Sequence, residues 1–141
     1  MKIVLSGCGK IGRTVLENLL VEGHDITVVD NDTEVVRELN NIYDIMAVCG
    51  SATDHAMLSD AGVDKAELYI ALTDSDELNM LSCFIARNMG AKHTIARIRN
   101  PEYNDSELGF LCQQLNLSMS VNPDLLAAQE LYQILIRFFV R

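Results

Sequence analysis

The stretch that most constrains this chain is Gly7, Gly9 and Gly12, because of what surrounds them. They follow the apolar run Ile3-Val4-Leu5, which reads as a buried strand. They precede Ile11, Val15, Leu16, Leu19 and Leu20, spaced along one face of a helix. A second apolar run, Ile26 to Val29, closes on Asp30. In this strand, G-x-G-x-x-G, helix, strand and acid, each glycine has its own task. Gly7 permits the tight turn out of the strand, Gly9 lets a pyrophosphate approach the backbone, and Gly12 lets the helix lie close to the strand. The helix opens with unpaired N–H groups at the positive end of its dipole, where an anion is welcome. Asp30 lies 18 residues after Gly12, near the roughly 20 expected of an acid that bonds ribose hydroxyls.

The same acid discriminates among nucleotides. A carboxylate there repels a 2′-phosphate, and Asn31-Asp32-Thr33-Glu34 offers no Arg or Lys to neutralise one. NAD or NADH is therefore expected in preference to NADP. ATP and ADP carry the same free ribose hydroxyls and stay open as alternatives.

Further along, apolar runs and helical patterns keep alternating. A helix is expected from about Asp32 to Asn41, capped by Asn31 or Asp32, then a strand over Ile45 to Cys49 stopped by Gly50-Ser51. A short helix begins at Thr53-Asp54 and ends at Gly62, and a strand covers Leu68 to Leu72. Asp74 and Glu77 have capping-box spacing ahead of a helix that runs to Met89 and stops at Gly90. A strand at His93 to Ile98, a helix near Ser106 to Leu115 and a strand at Ser118 to Val121 follow, then a last helix with Asn122 as cap and Pro123 at its first position. Six apolar strands alternating with helices predict an α/β fold: a Rossmann-like, doubly wound parallel sheet of order 3-2-1-4-5-6 with helices on both faces. Ligands bind such sheets at the carboxyl ends of the strands.

Composition narrows the partners. At 141 residues the chain makes one domain, read as residues 1–122 with a terminal helix over 123–141. A net charge of −9 argues against nucleic acid and against an anionic membrane surface. No apolar stretch reaches the roughly 18 residues of a membrane span, and no signal peptide fits the N-terminus. Cys8, Cys49, Cys83 and Cys112 are far apart, as are His24, His55 and His93, so reduced core thiols are expected and a metal site is not.

The residues after each strand are the candidates for function. Thr73 is expected to contact phosphates or a second ribose, or to cap the helix with Asp74, or both. Arg97 has apolar neighbours and needs an anion, either a phosphate or an acid such as Asp74 or Asp76. Lys10 reaches a terminal phosphate or is solvated. Asp76, Glu77 and Asn79 read as a solvated helix start in preference to a cation site. Cys8 sits at a helix N-terminus, a placement that can lower a thiol pKa. The segment from Leu125 to Val140 is apolar nearly all round a helix, which predicts contact with another chain or a following domain. Because the chain stops at Arg141, directly after Phe138-Phe139-Val140 and with no polar terminating turn, a longer parent protein is expected.

MKIVLSGCGKIG, HDITVVDND, AGVDKAELYIALTDSDELNM, IARIRNPEY and VNPDLLAAQELYQILI together resemble the RCK/KTN family, the regulators of K⁺ conductance. Among these the resemblance is to the cytosolic regulatory subunits of bacterial and archaeal Trk potassium-uptake systems. Ser51 departs from the acidic residue common there. The resemblance implies a non-catalytic domain that forms dimers and then a ring beneath a membrane K⁺ channel or transporter. It would lie at the cytoplasmic face through that partner, with the last helix as crossover. The cofactor contacts it implies are Gly7, Cys8, Gly9, Lys10, Ile11, Asp30, Thr73, Asp74 and Arg97, and Gly12, Asn31 and Ser51 beside them complete the expected cofactor-binding set. The competing reading is the cofactor domain of an NAD-dependent dehydrogenase. It lacks support in the residues: there is no Tyr-x-x-x-Lys pair, and none of the three histidines falls at a strand's carboxyl end.

Overall fold

A computed structural model of the chain describes residues 1–103 and 105–122, together with Glu130, Gln133, Ile134 and Arg137. The elements in order are β1 (Lys2–Ser6), α1 (Lys10–Val21), β2 (Asp25–Asp30), α2 (Thr33–Ile42), β3 (Met46–Cys49), α3 (His55–Asp60), β4 (Leu68–Ala71), α4 (Asp76–Met89), β5 (His93–Arg97), α5 (Asp105–Gln114) and β6 (Met119–Val121), with a 3-10 turn at Val63–Lys65. The expected alternation is present. The helix expected over 123–141 lies outside the described residues, apart from the four just named, which are helical.

All six strands run parallel in the order β3-β2-β1-β4-β5-β6. This is the expected order. Side chains on a strand alternate between faces, and β1 shows what each face buries. Ile3 and Leu5 join Val15, Leu16 and Leu19 of α1 and Val36 and Leu39 of α2. Val4 points the other way, to Tyr69, Leu58 of α3 and Ala86 of α4. With helices on both faces, β1 and β4 have no solvated side, which is why their sequences read as unbroken apolar runs. Each Leu or Ile buried this way is worth about 1.5–3 kcal/mol before the entropy of ordering it.

Register brings the site together. Ser6 at the end of β1 lies level with Val29 of β2 and Ala71 of β4, so these strands end in one plane. At the far edge, the Asn40 carboxamide of α2 ties down β3, accepting from the Ala47 N–H at 3.0 Å and donating to its carbonyl at 3.1 Å.

Asp32 caps α2 as expected, accepting from the Glu34 N–H. The start of α4 differs from expectation. Its cap is Ser75, whose hydroxyl accepts from the Leu78 N–H at 3.1 Å, and the Asp74–Glu77 capping box does not form. The helix begins one residue later than that spacing implies, at Asp76, whose carboxylate accepts from the N–H groups of Arg99 and Asn100.

Candidate functional site

The loop from β1 to α1 is held by close approach. Gly7 has φ +84°, and a Cβ there would lie 2.6 Å from the Thr73 nitrogen. Its N–H donates to the Val29 carbonyl at 2.9 Å, so the turn is gripped by the ends of β2 and β4. A Cβ on Gly12 would run into the Gly7 carbonyl oxygen. Gly9 is the opposite case, with no atom within 4 Å of where its Cβ would be. It also caps α1 without any side-chain hydrogen bond, and no acid stands in the first turn. The positive end of the helix is thus left accessible beside open space, which is what an approaching phosphate needs.

Asp30 closes β2 on the other side of that loop. One carboxylate oxygen accepts from the Cys8 N–H at 2.8 Å and the other from the Asp32 N–H at 2.9 Å. A carboxylate has about four acceptor positions, so two are used to hold it in place and the others are open to further donors.

The β4–β5 side is organised by a residue that was expected to be solvated. Asn79 of α4 is fully buried. Its carbonyl oxygen accepts from the Thr73 N–H at 3.0 Å and from the Thr73 hydroxyl, while its amide donates to the Thr73 carbonyl at 3.0 Å and the Arg97 carbonyl at 2.9 Å. All four hydrogen bonds of the carboxamide are made, and they join the ends of β4 and β5. Asp76 is also buried, accepting from the N–H groups of Arg99 at 3.0 Å and Asn100 at 2.8 Å. Neither a solvated helix start nor a cation site describes these two side chains. A polar residue at a helix start looks the same in sequence whether it faces water or a neighbouring strand end.

Arg97, the last residue of β5, is buried. Its Nη1 reaches the carbonyls of Thr73 at 3.3 Å and Leu72 at 3.5 Å and the Asp74 carboxylate at 3.4 Å, and its Nε has no partner. Of the two acids expected for it, Asp74 is the one in contact.

These pieces meet in one cleft of about 510 Å³ at the carboxyl ends of β1, β2, β4 and β5, a size suited to a small-molecule ligand. Gly7, Gly9, Lys10, Ile11, Gly12, Asp30, Asn31, Ser51, Thr73, Asp74 and Arg97 line it, with Leu72 and Leu78 as apolar wall. Lys10 and Asn31 are exposed at its rim, and Ser51 bonds the Thr53 hydroxyl at 2.9 Å. Cys8 is the member of the expected set that does not line it. Its side chain is only 2% exposed and joins the core, while its N–H holds Asp30. Burial pushes the Cys8 thiol up to about 11, opposite to the lowering expected from its position at a helix start. Desolvation of the thiolate outweighs the helix end here. Among the described residues, no group of His, Cys, Asp and Glu could hold a metal ion, and no helix is long and apolar enough to cross a membrane.

The fold and cleft define a Rossmann-like domain whose open site lies where the strand order reverses. The chain belongs to the TrkA-N domain family, which it matches over residues 3–110. It is 42% identical to the Trk system potassium uptake protein TrkA of Vibrio alginolyticus over 73% of this chain and 23% of that protein. It is 36% identical to the Haemophilus influenzae TrkA over 96% of this chain and 30% of that protein. The chain therefore spans under a third of the length of these relatives. Among solved structures, the GsuK channel bound to NAD superposes with a TM-score of 0.71 at 26% identity, covering 85% of this chain and 21% of that one. GsuK bound to ADP gives the same TM-score and identity over 86% of this chain and 31% of that one.

Proposed function

We propose that this chain is the nucleotide-binding regulatory domain of a potassium-transport system. It binds NAD or NADH in the cleft and passes the change to a membrane K⁺ channel or transporter. The observation that carries this reading is the convergence in one cleft of three features: a glycine loop open at Gly9, the Asp30 carboxylate fixed by two N–H groups, and the buried Arg97 cation. Adenine ribose at Asp30, pyrophosphate over Gly9 and the far half of the ligand near Thr73 and Arg97 would use each feature once. ADP or ATP is the second reading, favoured by the ADP-bound GsuK relative and by the same ribose and phosphate chemistry.

The role is non-catalytic. What supports a regulatory role is the kinship with the TrkA potassium uptake proteins. The nucleotide acts by linkage instead, shifting the assembly only by the difference in its affinity for two shapes. Dimers and a ring, joined through residues 123–141, would supply those shapes at the cytoplasmic face of the membrane.

Calorimetric titration with NAD, NADH, ADP and ATP at one salt concentration tests the reading. Asp30→Ala is expected to weaken all four by a similar factor, about 10- to 100-fold for loss of a charged hydrogen-bond acceptor. If none of the four binds the wild-type chain, the fold stands and the mechanism falls.

A further inference from the structure

We propose that Asp74 sets the selectivity of the cleft by occupying Arg97 where a ligand phosphate would otherwise sit. It is an internal counter-anion that a nucleotide must displace, and it weighs most against the most highly charged nucleotides. The inference rests on the nucleotide-binding reading above.

The two partners of this ion pair are unequally held. The Arg97 side chain is 9% exposed and that of Asp74 is 95% exposed, and they meet at 3.4 Å. That separation is long for a charge-assisted hydrogen bond, which closes to about 2.7–2.9 Å. Nη1 divides itself among two carbonyls and this carboxylate, and the buried Nε has no partner at all. A desolvated guanidinium left in that state calls for a better-placed anion. Asp74, for its part, is tethered through its backbone, its carbonyl accepting from Arg99 Nη2 at 3.0 Å. Among the described residues its carboxylate makes no other hydrogen bond. The side chain can therefore swing into solvent without breaking anything except its contact with Arg97. Both residues line the cleft, so the anion that replaces Asp74 is one belonging to the ligand.

The size of the effect follows from exposure. A pair with one fully solvated partner holds weakly, so Asp74 tunes the site without closing it: about 3- to 5-fold in affinity. Because the exchange at Arg97 trades the carboxylate for a ligand phosphate, the penalty grows with phosphate charge, from adenosine through NADH and ADP to ATP, and salt diminishes it.

The experiment compares the wild-type chain with Asp74→Asn, which keeps the shape of the side chain and removes its charge. Adenosine, NADH, ADP and ATP are titrated at low and at high salt, in both the native and the Arg97→Ala backgrounds. Tighter binding of ATP and ADP by Asp74→Asn, with adenosine unchanged and the gain lost in the Arg97→Ala background, supports the proposal. An equal gain for adenosine, no gain for any nucleotide, or a gain that persists without Arg97 overturns it while leaving the nucleotide reading intact. Failure of the wild-type chain to bind any of the four removes that reading and the inference together.

Discussion

Asn79→Ala is expected to destabilise the domain and to loosen one half of the cleft while leaving the other half in place. Truncation removes a carboxamide that makes four hydrogen bonds, all to the ends of β4 and β5. The Thr73 carbonyl keeps Arg97 Nη1 at 3.3 Å as a partner, and the Thr73 hydroxyl can turn to solvent. The Thr73 N–H and the Arg97 carbonyl lose the side chain that satisfied them. An unsatisfied buried group costs about 1–3 kcal/mol. Thr73 is half-buried and water can reach part of the gap, so a total of about 2–4 kcal/mol is expected. In urea that lowers the midpoint by roughly 1–2 M for a domain of this size. The assay is equilibrium unfolding followed by circular dichroism, paired with amide exchange at Thr73, whose protection should fall by more than the global loss of stability. AMP, read by the Asp30 half, should bind the folded variant nearly as before, while NADH weakens. A loss below about 1 kcal/mol with Thr73 still protected would refute the assignment of Asn79 as the staple between the strands.

Three further outcomes follow from the geometry. Gly7→Ala places a Cβ at φ +84° and 2.6 Å from backbone nitrogen, whereas Gly23→Ala meets a similar φ of +82° in open space. Gly23→Ala should therefore cost about 1–2 kcal/mol for the left-handed backbone alone, and Gly7→Ala measurably more by urea unfolding. In alkylation mapped by mass spectrometry, exposed Cys49 should label first. Cys8, raised from 9.0 to about 11, should label at least about 100-fold more slowly than an unperturbed exposed thiol, from its thiolate fraction alone. Burial, with the N-terminal ammonium 3.0 Å away, lowers the pKa of His24 below its ordinary 6.5. The unfolded chain then takes up that proton more readily than the folded one. This stabilising contribution is complete above the ordinary pKa and is lost as pH falls through it toward the lowered value. Urea midpoints measured across that range should fall less for His24→Gln than for the wild type.

The sequence alone determined what depends on local pattern. Unbroken apolar runs, helical apolar spacing and glycines at fixed intervals specify elements a few residues long. Six repeats of strand and helix, with right-handed crossovers, leave one economical strand order. Gly7, Gly9, Gly12 and Asp30 were legible for the same reason, since turn, helix start and strand end lie within one βαβ unit. What only the tertiary structure decided involves partners far apart in the chain. Arg97 meets Asp74 and not Asp76, and Asp76 instead holds the N–H groups of Arg99 and Asn100, more than twenty residues away. Asn79 is a buried staple instead of a solvated polar residue. The Cys8 side chain turns into the core and only its backbone serves the site. A polar side chain does not carry in its own identity whether it will meet water or a carbonyl. That is settled by which strand ends the sheet register brings level, and the register is a property of the folded molecule.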